Sequence, residues 1–273
     1  TEAMREQFQR SGYTEINCRK TLADIYVINT CTVTKHADTE SLSLIRRSIR
    51  LNPKAKIIVT GCLAEKDKDV IKNINPEILS RALIVENSRK KDIVGMLDLR
   101  FPATTARSGN GNTPHPNPLP GGARGKEREL TITDFANRSK AFLKIQDGCN
   151  NFCSYCKVPY VRGRSKSKKM PEIKRETEGL VAKGFKEIVL TGICLGEWGK
   201  DIGEKNGLVA LINELEKING DFRIRFSSIE PNNISDDFIN KIKDSGRVCR
   251  HLHIPLQSGD DEILKKMNRR YTD

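Results

Sequence analysis

The chain has 273 residues, 48 basic against 35 acidic side chains, a net charge of +13 and few aromatics. That length holds two ordinary cores, no apolar run approaches the roughly 18 residues of a membrane span, and Thr1-Glu2-Ala3-Met4-Arg5 carries no secretory signal pattern. Eight cysteines in such a chain point to reduced cytoplasmic thiols and metal ligation, and away from a secreted disulfide framework.

The first hundred residues alternate between helical and strand patterns. Glu2 to Arg10 reads as a short polar helix and Asp24 to Asn29 as an apolar strand. Asp38 to Leu51 follows as a helix with Leu42, Ile45 and Ile49 at spacings of three and four. Ile57 to Thr60 is a second strand, Ala64 to about Ile74 a helix, Ala82 to Val85 a third strand and Asp92 to Leu99 another helix. Such alternation predicts an open parallel α/β sheet in residues 1–101.

Residues 102–128 break the pattern. Five prolines, five glycines and one large aliphatic, Leu119, bury too little to offset the cost of ordering, so the stretch reads as a disordered linker in which His115 is no ligand. Residues 129–273 then resume βα units. Ala141 to Ile145, Glu187 to Thr191, Arg223 to Ser227 and His251 to Leu256 are predicted strands. Helices are expected from Pro171 to Gly184, over Leu208 to Ile218, from Ser235 as cap to Gly246, and over Asp261 to Met267. Four successive units predict part of a (β/α) barrel, with its chemistry at the carboxyl ends of the strands.

Directly after the first of these strands lies Asp147-Gly-Cys-Asn-Asn-Phe-Cys-Ser-Tyr-Cys, placing Cys149, Cys153 and Cys156 within eight residues. Thiolates are soft ligands suited to iron–sulfur clusters, and three of them leave one iron of a [4Fe–4S] cube open to a small molecule. Structural zinc usually takes four nitrogen or sulfur ligands in paired units. Only one C-x2-C exists here, with no nearby histidine to complete it. A nonenzymatic zinc-dependent RNA-binding module stays open as the alternative.

From Lys157 to Arg175 eight basic residues stand against one acid, Glu172. A run of this kind is often just a solvated face. Beside a metal loop and near Tyr155 and Tyr160, it reads as a phosphate-binding rim formed by Tyr160, Arg162, Arg164, Lys166, Lys168 and Lys169. Cys31 and Cys62 each end a strand one βαβ repeat apart, where neighbouring parallel strands share a ligand-gathering edge. The alternative is a pair of half-buried structural thiols. Cys18, Cys194 and Cys249 lack this placement and read as core or incidental.

Together Asn29-Thr-Cys-Thr-Val-Thr, Thr60-Gly-Cys-Leu-Ala-Glu, the cysteine loop and Pro159-Tyr-Val-Arg-Gly resemble the radical S-adenosylmethionine methylthiotransferases, over essentially the whole chain except the linker. The resemblance implies two [4Fe–4S] clusters and S-adenosylmethionine. Cys149, Cys153 and Cys156 would hold the cofactor-cleaving cluster. Cys31 and Cys62 would hold an auxiliary cluster whose third ligand falls upstream of Thr1. Thr191, Gly192, Ser228, Glu230 and Gln257 match cofactor contacts, although Thr191-Gly192 lacks the family's Gly-Gly-Glu form; His251 and His253 would support packing. Both ends of the chain read as trimmed. No side-chain general base is demanded, since the cofactor carries the hard chemistry.

Within that family, the Tyr160 and Arg162 stretch, the basic tract and the Cys31 segment resemble members that install a methylthio group on carbon 2 of threonylcarbamoyladenosine at position 37 of tRNA. Siblings acting on isopentenyladenosine in tRNA remain possible, and members acting on a ribosomal protein usually lack this tyrosine stretch. The implied partners are a tRNA anticodon loop and an electron donor such as flavodoxin or ferredoxin. The protein is expected to be a cytoplasmic monomer that does not bind membranes.

Overall fold

The computed structural model describes residues 2–17, 21–32, 35–74, 78–101 and 139–272. The stretch read as a linker, His115 and Cys18 lie outside the described residues.

The N-terminal part is an α/β layer. Its elements are α1 (Glu2–Arg10), β1 (Ile25–Thr30), α2 (Lys35–Leu51), β2 (Lys56–Gly61), α3 (Cys62–Lys66), α4 (Lys68–Lys72), α5 (Ile78–Arg81), β3 (Ala82–Val85), a 3-10 turn (Asn87–Asp92) and α6 (Ile93–Arg100). The three strands are parallel in the order β1-β2-β3. The central strand explains the layering. Ile57 and Val59 pack with Ile45, Leu63 and Ile71, whereas Ile58 packs with Met4, Ile93 and Leu97, so helices cover both faces. The single helix expected over Ala64 to Ile74 is instead two. Asp67 leaves helical geometry, and its carboxylate accepts from the Val70 N–H at 3.1 Å, ending one helix and capping the next.

The second part comprises β4 (Lys140–Lys144), β5 (Gln146–Asp147), α7 (Val158–Arg162), β6 (Lys166–Ser167), α8 (Met170–Ala182), β7 (Glu187–Thr191), α9 (Gly207–Glu216), β8 (Arg223–Phe226), α10 (Asp236–Asp244) and α11 (Asp261–Lys266). β4, β7 and β8 form a parallel sheet in that order, and β5 pairs antiparallel with β6. One core fills the space between sheet and helices, built on Leu143, Ile188, Leu190, Leu211, Phe226 and the fully buried Trp198. Ser235 caps α10 as expected, accepting from the Phe238 N–H at 3.3 Å.

The fourth strand is a correction. Among the described residues His251 to Leu256 forms no strand. Two isolated parallel bridges, Ile224 to Val248 just upstream and Ser228 to His253 within the segment, join this part of the chain to β8 and its continuation. The His251 N–H turns back to the Cys249 carbonyl at 2.7 Å, and Pro255 has no N–H to donate, so a continuous ladder cannot form. The fold is thus an N-terminal open parallel α/β sheet followed by a partial (β/α) barrel. Among the described residues no helix is long and apolar enough to cross a membrane.

Candidate iron–sulfur and cofactor site

The cysteine loop leaves the carboxyl end of β4 and is pinned on both sides. On its near side Gln146 is almost fully buried. Its Nε2 donates to the carbonyls of Asp147 at 3.0 Å and Gly148 at 2.9 Å, and to Ser165 Oγ at 2.9 Å, while its Oε1 accepts from the Cys194 N–H at 2.9 Å. The Cys149 N–H reaches the Gly163 carbonyl at 3.1 Å. On the far side the segment after α11 clasps the loop. The Ser154 N–H donates to Met267 O at 3.1 Å, and Asn268 Nδ2 donates to Phe152 O at 2.9 Å. Arg269 pairs with Glu230 at 2.6 Å and with the Tyr155 hydroxyl.

Cys149 is buried, and Cys153 and Cys156 are half-buried. A hydrogen bond from the Cys194 thiol holds the Cys149 thiol below its ordinary value; burial opposes this and the Asn151 N–H, 3.4 Å from Cys149 Sγ, assists it. The Cys194 thiol is pushed up in consequence, by that same bond and by burial. Burial raises Cys153, with the Arg269 charge acting against it. The thiolate is the ligating form of cysteine, so a buried loop that favours it at Cys149 fits a soft metal centre. Among the described residues no three histidine, cysteine or carboxylate side chains gather as ligands of one ion.

Of the expected cofactor contacts, Glu230 and Gln257 reach this loop or its clasp, Gly192 lies against Gln146, and Ser228 does not reach it. Thr191 ends β7 and Gly192 follows it, lying so close to Gln146 that an added Cβ would sit 2.8 Å from its Oε1. Glu230 accepts from Asn151 Nδ2 at 3.0 Å through one oxygen and from Arg269 through the other. Gln257, at a φ of 66°, accepts from the Tyr155 hydroxyl at 3.2 Å. Ser228 is bound away from the loop, to His253 Nδ1 at 2.7 Å. Sequence reasoning missed Gln146, Asn151, Cys194 and Arg269. Their roles rest on contacts such as Arg269 to Tyr155, which are 114 residues apart and leave no local pattern.

Cys31 and Cys62 follow directly on paired residues, since Thr30 and Gly61 are register partners at the end of the β1–β2 ladder. Cys31 is exposed and Cys62 buried. Two thiols at one sheet edge fit part of a cluster's ligand set. Helix α3, which Cys62 opens, packs on α7, so Cys62 meets the Arg162 guanidinium across the seam between the two sheets. Lys157 reaches Asp38 across the same seam at 3.5 Å.

The basic tract divides. Tyr160 is 77% exposed and stands edge-on to Phe152, 5.7 Å between centroids; Arg164, Lys166 and Lys169 are also exposed. Arg162 turns toward the loop, its Nη1 3.1 Å from Asp147 Oδ1. Lys168 is a correction. Its amine sits 2.7 and 2.8 Å from the two oxygens of the buried Glu176, so it is an internal counter-ion and not part of a rim. Lys168→Ala is therefore expected to lower stability by about 3 kcal/mol, because it strands a buried carboxylate, and to leave the salt dependence of RNA binding unchanged. Urea unfolding and salt-titrated filter binding check the two halves.

Residues 1–81 match the family described as "Uncharacterized protein family UPF0004", and residues 143–273 match the Radical SAM superfamily. The threonylcarbamoyladenosine tRNA methylthiotransferase MtaB of Bacillus subtilis (strain 168) is 40% identical over 273 residues, covering 100% of this chain and 57% of that protein. The protein of the same name from Chlamydia pneumoniae is 36% identical over 274 residues, covering 99% of this chain and 57% of its own length. A tRNA-2-methylthio-N(6)-dimethylallyladenosine synthase of Thermoanaerobacter pseudethanolicus is 38% identical over 255 residues, 92% of this chain and 51% of that one. The chain thus spans little more than half the length of these curated relatives. In fold it is similar to the cobalamin-dependent S-adenosylmethionine radical enzyme OxsB, with a TM-score of 0.55 at 12% identity over 98% of this chain and 39% of that one. It is likewise similar to the radical S-adenosylmethionine methyltransferase TsrM from Kitasatospora setae, with a TM-score of 0.54 at 14% identity, 98% and 54% covered. Residues 143–273 thus match the Radical SAM superfamily, and along the whole of its length this chain is similar in sequence to radical S-adenosylmethionine methylthiotransferases, with both sheets and the cysteine loop in agreement.

Proposed function

We propose that the protein installs a methylthio group on carbon 2 of threonylcarbamoyladenosine at position 37 of tRNA. The observation that carries this reading is the 40% identity, over the whole of this chain, to a relative of that name, with the three loop cysteines on a clasped, half-buried turn. The isopentenyladenosine reading has its own support in the dimethylallyladenosine synthase that is 38% identical. Mass spectrometry of tRNA nucleosides from cells with and without the full-length gene tests both; an unchanged nucleoside profile overturns both.

Cys149, Cys153 and Cys156 would hold one [4Fe–4S] cluster, and Cys31 and Cys62 would supply two ligands of an auxiliary one. Bound there, the first cluster supplies the electron for reductive cleavage of S-adenosylmethionine, the radical chemistry that opens an unreactive ring C–H bond. The chain's own residues do the positioning. Gln146 and the 267–269 clasp fix the loop, Glu230 is held by Asn151 and Arg269, and Thr191, Gly192, Ser228 and Gln257 would contact the cofactor. A splayed base of a single-stranded anticodon loop can stack on the exposed Tyr160 while Arg164, Lys166 and Lys169 hold phosphates. Replacing those three cations by glutamine is expected to weaken tRNA binding and to lower the salt slope by about two to three. A salt titration that leaves the slope where it was removes the rim. The reading also takes residues 1–101 and 129–273 as domains about a 102–128 linker, in a cytoplasmic monomer reduced by a flavodoxin or ferredoxin.

A further inference from the structure

Between the two sets of cysteines lies a group of cations that the proposed chemistry has not used. Lys90, in the 3-10 turn after β3, crosses to β1, where its Nζ donates to Asn29 Oδ1 at 2.9 Å. Arg162 approaches from α7 and Lys144 from the end of β4. The carboxylate among them is Asp147, and it is already shared: Lys144 binds one oxygen at 2.9 Å and Arg162 the other at 3.1 Å. Among the described residues Lys90 is thus paired with a neutral amide and with no carboxylate. Burial, followed by the like charge of Arg162, lowers its amine to about 8, with Cys62 and Asp147 pulling the other way. Three cations against one carboxylate leave a surplus of positive charge at the half-exposed seam. Its two anchoring residues flank the cysteines in sequence, Asn29 just before Cys31 and Asp147 just before Cys149. A cation surplus of this kind is the complement of an oxyanion, and Lys and Arg are its usual holders.

We propose that Lys90, with Arg162 beside it, forms an oxyanion site at the seam between the two sheets that receives the free carboxylate of the threonylcarbamoyl group. This rests on the proposed substrate and deepens it, since the carboxylate is what separates threonylcarbamoyladenosine from its apolar isopentenyl counterpart. A carboxylate held at Lys90 sets the modified base between the cysteine loop and the Cys31–Cys62 edge. A tRNA backbone phosphate offers the same chemistry, so the test must separate the two sources.

The experiment measures affinity of the full-length, cluster-loaded protein for anticodon stem–loops that carry threonylcarbamoyladenosine, its methyl ester, or unmodified adenosine. The native protein is expected to prefer the free acid over the ester by about tenfold, the factor for one charge-assisted contact. Lys90→Met should erase that preference by weakening the acid RNA alone, and Lys90→Arg should retain it, which separates lost charge from lost fold. Equal weakening of all three RNAs by Lys90→Met assigns the site to a phosphate and overturns the proposal. So does a preference for the acid that survives Lys90→Met. A native protein that binds modified and unmodified stem–loops alike overturns the substrate reading as well, an outcome distinct from failure at Lys90.

Discussion

Cys153→Ala is expected to take reductive cleavage of S-adenosylmethionine to background while leaving tRNA retention within about twofold, because charge and stacking, which do not involve this thiol, govern RNA affinity. Cys153 is half-buried inside the clasp formed by residues 267–269, and Tyr160, Arg164, Lys166 and Lys169 are exposed. Removing one of three thiolates leaves the loop with two, too few to keep a cube with a single open corner. Deoxyadenosine formation under an artificial reductant and filter binding of tRNA report the two properties separately. If both fall together, the loop serves binding as much as chemistry, and the two roles are not divided between separate residues.

Gly148→Ala is expected to cost about 3 kcal/mol or more and to reduce iron loading with every cysteine still present. The backbone at Gly148 has a φ of 72°, and a Cβ there would lie 2.1 Å from the Arg164 carbonyl oxygen. That carbonyl belongs to the segment against which the loop is pinned, so the added methyl group pushes the start of the loop off its seat. Gly163→Ala provides the comparison. Its φ is 75° and its ψ −164°, yet nothing lies within 4 Å of its added Cβ, so only the local conformational cost of about 2 kcal/mol applies. Urea midpoints and iron per chain for the two variants give the contrast. Equal effects at both positions would mean that strain alone, and not the seat on Arg164, sets the loop.

Much of this site was legible because its signals are local. Three cysteines within eight residues, strand ends at Cys31 and Cys62, and the cap at Ser235 are short-range patterns, and the structure places them where such patterns lead. What the sequence could not reveal depends on distant partners. The charge of Lys168 reads as surface until Glu176, inside α8, is found buried against it. Arg162 reads as rim until α3, far upstream in the chain, brings Cys62 to it. The missing fourth strand had one local signal, Pro255, whose ring removes an N–H from any ladder. The apolar residues on either side of it, Leu252, Ile254 and Leu256, imitate a strand's alternation and mask that signal.

The clasp at residues 267–269 has a consequence for how the protein is made. Asn268 bonds to the carbonyl of Asn151, 117 residues earlier, so the cysteine loop cannot take its final shape while the chain emerging from the ribosome is still short of that point. A nascent chain stalled before residue 267 carries its thiols on a loop fastened on its near side only, and iron delivered at that stage meets ligands not yet all held in place.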